Sequence, residues 1–314
     1  MLICVCLTAI LGISKFREKF VYQKPTAPAG IGGVLDDGLR LWRVTLPLTW
    51  GLALLAQATK TLPAFLFPPL HVANIPRNLE LMQRFSAMMG AATRYQLVGF
   101  LFGIIAYGFT NAVLLRINSV YLNEQMSFGE ALSRGFKLIL RTLGFFLLLG
   151  VCIGVPIALV LIAAAAMAGT ASSGSQIVVA VLIIAVCILV IYLAVRLVVG
   201  YPAMIADDLG ITAAISTSWK LTKGFWWRVA TLITVLAVIS LVMEALLGLV
   251  AGGALGLVGA QRDLVVRVTQ LATIVLFSFL GSLSPAVILA IYNDLKLRRQ
   301  GGDLADRVSA LAAQ

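Results

Sequence analysis

The sequence is poor in charge, in acid and in imidazole. Only 12% of its 314 residues are charged, against 61% apolar, and the mean hydropathy is +1.01. A soluble domain carries about a quarter charged residues, and nowhere in this chain is there a polar stretch long enough for an independent domain of about 100 residues. That excludes a soluble enzyme with an appended anchor. There is a single histidine, His71, so sites that need two imidazoles, such as a His-rich metal centre or an HExxH helix, are excluded. The four cysteines, Cys4, Cys6, Cys152 and Cys187, all sit in apolar runs with neither a disulfide framework nor metal-ligand spacing. No cofactor or metal is expected.

Basic residues are in excess, 24 Lys+Arg against 13 Asp+Glu, for a net charge of +11. No zinc-finger, RNP or helix-turn-helix pattern accompanies them, so nucleic acid is not the expected partner. They read first as topology determinants at an anionic leaflet, which makes membrane lipids the expected partner and leaves a protein partner in the membrane open.

The fold class is therefore an all-α integral membrane protein. Tyr95 to Leu115 is a charge-free run of 21 residues, enough to cross a hydrocarbon core of about 30 Å. Thr142 to Ala168, Ile177 to Val195, Val229 to about Val250 and Val268 to about Ile291 qualify as well. Val44 to Thr59 is shorter and carries Pro47, and flanking Leu41 and Trp42 lengthen it to a tilted span. Six spans result. Segments on one side of them hold 18 Lys/Arg and those on the other side six, which predicts both termini in the cytoplasm.

Residues 1–30 read as an N-terminal extension. Met1 to Ser14 is apolar but too short to span, and Lys15, Arg17 and Lys19 follow it, the reverse of a cleaved signal peptide; an interfacial segment and a wrongly chosen start codon both account for it. The loop from Lys60 to Arg94 is the long extracytoplasmic one, broken by Pro63, Pro68, Pro69 and Pro76, with a short amphipathic helix expected over Leu79 to Met89.

Three segments align without gaps: Ile31 to Leu41 (IGGVLDDGLRL), Phe128 to Leu138 (FGEALSRGFKL) and Ile211 to Leu221 (ITAAISTSWKL). Ile31, Val34, Leu35 and Leu39 coincide with Phe128, Ala131, Leu132 and Phe136 and with Ile211, Ala214, Ile215 and Trp219, the spacing of one helix face. Gly38, Gly135 and Ser218 coincide, as do Arg40, Lys137 and Lys220. Ser127 and Glu130 form a capping box at the second copy. Pro202-Ala203 and Pro285-Ala286 repeat at the offset that relates the second and third copies. The expected architecture is three repeats, each a cytoplasmic amphipathic helix followed by a two-helix hairpin, over residues 31–120, 128–203 and 211–286 within a membrane domain of 31–304, with 305–314 as a cytoplasmic tail.

Candidate functional residues are few. Glu244 is the one acid inside a span and lies on a stripe of small residues, Ser240, Gly248, Gly252 and Gly256; it reads either as a proton or cation site or as a neutral packing residue. Asp207 and Asp208 precede the third amphipathic segment, where helix capping outweighs acid-base work or divalent-ion binding. Arg116 and Arg196 stand at cytoplasmic span ends, where snorkelling to lipid phosphate is the ordinary role. Lys220 is the basic residue of the third segment, and Phe225, Trp226 and Trp227 read as an interfacial belt. No nucleophile, base and orienting group can be assembled, so no catalytic residues are expected.

Three passages, GVLDDGLRLWRVTL (Gly33 to Leu46), RLVVGYPAMIADDLGITAAISTSWKLTKG (Arg196 to Gly224) and PAVILAIYNDLKLRRQGGDL (Pro285 to Leu304), resemble the family named for the membrane domain of glycerophosphoryl diester phosphodiesterase, a group of polytopic bacterial proteins. The S-W-x-L-T-x-G passage at Ser218 to Gly224 and the Y-x-D-L-x-x-R pattern at Tyr292 to Arg298 carry most of the likeness, and the N-terminal apolar run is outside it. The resemblance implies a membrane module without the catalytic barrel and does not bring phosphodiesterase activity with it. The expectation is a non-enzymatic protein of the bacterial inner membrane that associates with lipid or a partner protein through a basic cytoplasmic face; the alternative is a transporter or lipid-handling protein that uses Glu244.

Overall fold

The structure is a computed structural model that describes residues 22–25, 27–66, 81–167, 173–258 and 262–312. Among the described residues the regular elements are all helical: α1 (Ile31–Leu66), α2 (Leu81–Tyr121), α3 (Phe128–Lys137), α4 (Ile139–Met167), α5 (Ser173–Leu197), α6 (Gly200–Ala206), α7 (Ile211–Thr222), α8 (Trp226–Val258), α9 (Arg262–Gly281) and α10 (Leu283–Ala312). Five stretches are long and apolar enough to cross a membrane: Tyr95–Tyr121, Ile139–Ala164, Ile177–Ala206, Trp226–Met243 and Gln270–Arg299. They fall on five of the six runs read from the sequence. The sixth, Val44 to Thr59, lies inside α1 but is not among them.

Local chemistry explains where the helices stop. Pro202 and Pro285 each lack an N–H and crowd the carbonyl four residues earlier, and both apolar stretches that contain them break there, between α5 and α6 and between α9 and α10. At α3 the Ser127 hydroxyl accepts the Glu130 N–H at 3.2 Å, the hydrogen bond expected of the capping box. The turn from α7 to α8 uses Gly224 at φ +86°, a conformation costly for other residues. No such break follows the first amphipathic segment. Leu41-Trp42-Arg43-Val44 contains no turn residue, and Ile31 to Leu41 runs straight on as the first turns of α1. Likewise the segment Leu79 to Met89 is no separate helix: from Leu81 onward it is the start of α2.

The chain divides into two compact units. The first comprises Met1–Lys24, Leu39–Ile139 and Val238–Ala286. In it the indole N–H of Trp42 donates to the Ser282 hydroxyl at 3.1 Å, that of Trp50 to the Ser278 hydroxyl at 2.8 Å, and Trp50 stacks on Phe279 at 5.0 Å. Buried Thr45 and Thr49 donate back to carbonyls of their own helix, which is how α1 buries hydroxyls at little cost. Tyr22, though part of the N-terminal extension, is buried against Tyr121.

The second unit comprises Pro25–Gly38, Leu140–Ala237 and Val287–Gln314. Its core is Phe145, Val199, Met204, Leu232, Leu289, Tyr292 and Leu295. Outside that core α4 and α5 turn large apolar side chains outward along most of their length, with Leu147 66% and Ile188 64% exposed. Apolar surface of that extent is not tolerated in water; lipid covers it.

The three aligned segments bury the same positions. Val34, Ala131 and Ala214 are buried, as are Gly38, Gly135 and Ser218, whereas Leu39, Phe136 and Trp219 remain about two-fifths exposed. The small residues are the fully buried ones; Phe136 and Trp219 also touch protein, at Phe109 and Tyr192, but keep a large part of their surface open. A Cβ on Gly38 would lie 2.9 Å from Val287 Cα, and one on Gly135 2.5 Å from the Gly108 carbonyl oxygen and 2.7 Å from the Ala112 nitrogen. At the third position the Ser218 hydroxyl donates to the Arg196 carbonyl at 2.7 Å.

Candidate functional site, a polar network at the helix ends

Asp294, on α10 and only 7% exposed, is the centre of a charged cluster in the second unit. Its carboxylate accepts from Arg298 one turn on at 2.9 Å, from Arg228 near the start of α8 at 3.2 Å and from the Ala29 backbone N–H at 3.0 Å. Both guanidinium groups also donate to the Ala29 carbonyl. Two cations around one buried anion leave one positive charge uncompensated, and the carbonyl dipole absorbs part of it. Such charge-assisted bonds hold burial that would be costly for any member alone. Phe225 lies under the Arg298 guanidinium, 5.8 Å from ring centroid to Cζ.

Asp207 and Asp208 do not cap α7. The N-cap is Gly210, which has no side-chain bond to offer. Asp207 instead accepts from the Tyr292 hydroxyl and the Lys296 ammonium, each at 2.7 Å. Asp208, at φ +50° and largely exposed, pairs with Arg141 at the start of α4. Capping fails because two residues separate Asp207 from the cap position, and within that gap the chain turns toward α10 and α4. Both carboxylates are held by cations, so the paired acids are no open acid-base site.

Arg196 is drawn inward, not extended toward lipid. Its Nε donates to the Tyr192 hydroxyl at 3.1 Å, its Nη1 to the Trp219 carbonyl at 3.3 Å, and its guanidinium sits 4.9 Å from the Trp219 ring. Arg299 reaches the Lys220 and Lys223 carbonyls at 2.7 and 2.9 Å. Two guanidiniums thus satisfy the carbonyls that the end of α7 leaves open, at the negative end of its dipole. Trp226 stacks on Tyr192 and donates to its carbonyl, while Trp227 stands 79% exposed. The belt has one structural and one outward member.

Arg116 packs over the Phe128 ring at 5.9 Å in the first unit. The Lys220 side chain is exposed. Glu244 belongs to α8, one residue past the apolar stretch Trp226–Met243, and its side chain lies outside the described residues. Among the described residues no group of three His, Cys, Asp or Glu side chains is arranged to hold a metal ion.

Reading the sequence residue by residue does not single out Asp294, Arg228 or Arg298 as a cluster. The available signal is the i,i+4 spacing of Asp294 and Arg298 within the Y-x-D-L-x-x-R pattern, and both distinctive patterns now have a physical account. In the first, Ser218 and Thr222 bond to Arg196 or to their own helix, Trp219 covers Arg196, Leu221 is buried and Gly224 makes the turn. In the second, Tyr292 holds Asp207, Asp294 holds Arg228 and Ala29, Leu295 is buried and Arg298 closes the cluster.

Residues 170–297 match the family model for the membrane domain of glycerophosphoryl diester phosphodiesterase. The resemblance read from the sequence is thus a match from α5 to the first half of α10, which holds the second passage and most of the third but not the first. The matched family is a membrane domain, distinct from the catalytic domain of those phosphodiesterases. No curated protein and no solved structure matches the chain.

Proposed function

We propose that the chain is a non-enzymatic protein of the bacterial inner membrane, built from three repeats with six spans, that associates with membrane lipid through a basic cytoplasmic face. The observation that carries this reading is the convergence of four apolar stretches near one end of each. Arg141 of α4, Arg196 of α5, Arg228 of α8 and Asp294 to Arg299 of α10 are joined through α7 and the Asp207-Asp208 turn. Helices with ends held together in this way enter and leave the bilayer on one side, as hairpins of even span number require. That side is rich in Lys and Arg, which supports the cytoplasm. The common burial of the three aligned segments, small residues fully buried and large ones partly open, supports the repeat. Motif residues that form bonds within the fold, with no nucleophile and base assembled among the described residues, support a binding or scaffolding role.

Single-cysteine labelling tests the topology once the native cysteines are replaced. Cysteines at Ser133 and Ser216 should be reached from the cytoplasm and one at Ser173 only from the periplasm. Opposite accessibility at either of the first two overturns both the orientation and the three-repeat reading.

A further inference from the structure

We infer that Arg40, Lys137 and Lys220 are three matched contact points for anionic phospholipid headgroups, and that the basic residues already paired within the protein are not. This rests on the lipid-associated reading above and adds which cations do the work.

Ten of the described basic residues fall into two groups. Arg134, Arg141, Arg228, Lys296 and Arg298 are each ion-paired with a carboxylate, and Arg196 and Arg299 are spent on helix-end carbonyls. Their charge is already met inside the protein. Among the described residues the side chains of Arg40, Lys137 and Lys220 make no ion pair or hydrogen bond, and all three are exposed. Asp36, one turn before Arg40, forms no pair with it.

These three occupy one register of the aligned segments. Each directly follows the large apolar residue that its helix leaves exposed: Leu39 at 41%, Phe136 at 37% and Trp219 at 41%. Each helix is seated on protein by its small residue two positions before the cation, at Gly38, Gly135 or Ser218, so the cation cannot roll inward. An apolar side chain beside an unpaired cation, on a helix rigidly held by its opposite side, fits the boundary between acyl chains and phosphate. Arg43 and Lys223 add a cation one turn on in the first and third copies, but the second copy has Leu140 there, so the shared contact is the earlier position.

The occupant is an anionic bilayer lipid and not a soluble anion, because the apolar neighbour needs acyl chains and no cage of donors surrounds any of the three cations. The experiment compares two glutamine variants of α3 that remove the same charge, Lys137→Gln at the matched register and Arg134→Gln, which is already paired with Glu130. Full-length protein is reconstituted in mixed phosphatidylglycerol and phosphatidylcholine bilayers and extracted with its lipid shell, and the retained lipids are counted by mass spectrometry. Wild type should enrich phosphatidylglycerol. Lys137→Gln should remove about a third of that enrichment and the triple Arg40/Lys137/Lys220→Gln variant should reduce it about fivefold or more, the order set by roughly one basic side chain's attraction to an anionic surface. Arg134→Gln should leave it unchanged, and all variants should melt as wild type does. Equal losses for Arg134→Gln and Lys137→Gln would overturn the register while leaving a basic lipid-associated face intact. No enrichment in wild type would overturn that broader reading itself.

Discussion

The Asp294 cluster and the apolar helices α4 and α5 lie in the same compact unit and are built on opposite terms. In the cluster the Asp294 carboxylate and the Ala29 backbone are bonded to partners far away in sequence, so both the shape and the charge of its members matter. Along α4 and α5, side chains such as Leu147 and Ile188 point away from protein, and what is required of them is apolarity and helix length. The lesson is that in this unit specificity is concentrated toward the ends of the apolar stretches, where charges are buried in pairs, while the stretches themselves supply a generic apolar body. It also explains why the distinctive sequence patterns sit at Ser218 to Gly224 and Tyr292 to Arg298 and not inside the longest apolar runs.

The largest effect should come from the anion that two cations share. Asp294→Ala would leave Arg228 and Arg298, 17% and 23% exposed, facing each other and the Ala29 carbonyl without a counter-charge. Removing one partner from a buried ion network costs about 3 kcal/mol or more, so the melting temperature in detergent should fall by many degrees. Asp208→Ala removes a carboxylate that is 81% exposed, where an ion pair contributes about 0–1 kcal/mol, and should melt close to wild type. Equal losses from the two substitutions would erase the contrast between buried network and surface pair.

A smaller effect is expected at the seat of α3. Gly135→Ala places a methyl group 2.5 Å from the Gly108 carbonyl oxygen, and since backbone cannot yield as a flexible side chain does, overpacking should cost about 1–3 kcal/mol. Gly129→Ala on the same helix meets nothing within 4 Å and should be neutral or stabilising by up to about 1 kcal/mol from helix propensity. Thermal melts of the pair read the difference directly. If both were neutral, the helix would not be seated as closely as Gly135 requires.

What could be read from the sequence follows the same division. Five spans were legible because a charge-free run of sufficient length is a local property. The sixth was not settled by pattern, since Pro47, Pro63, Arg43 and Lys60 dilute α1, and its buried face relies on Trp42 and Trp50 bonding to serines more than 200 residues away. Periodicity marked the three amphipathic segments as helices but not the side that turns inward, because Ala131 and Gly135 contribute little hydropathy and act through close fit. The Asp294 cluster joins residues 265 positions apart, and no local pattern reports such a pairing. Asp207 and Asp208 were legible as important but not as to purpose: their position before α7 pointed to capping, and their partners lie on other helices.

The smallest effect belongs to the apolar helices themselves. Ile188, 64% exposed on α5, exchanges contact with solvent-free lipid for contact with solvent-free lipid when it becomes leucine, so neither a cavity nor an unpaired polar group is created and the change should stay within about 0.5 kcal/mol. Thermal stability and expression of Ile188→Leu should match wild type. The same position tests whether lipid is the solvent: Ile188→Lys places a charge in the apolar stretch, where insertion is disfavoured by about 2.5–3.5 kcal/mol near a span's centre, and the yield of membrane-inserted protein should drop although no protein contact is lost. Were lysine tolerated as well as leucine, Ile188 would be facing water or a polar cavity, and α5 would have a purpose other than spanning the bilayer.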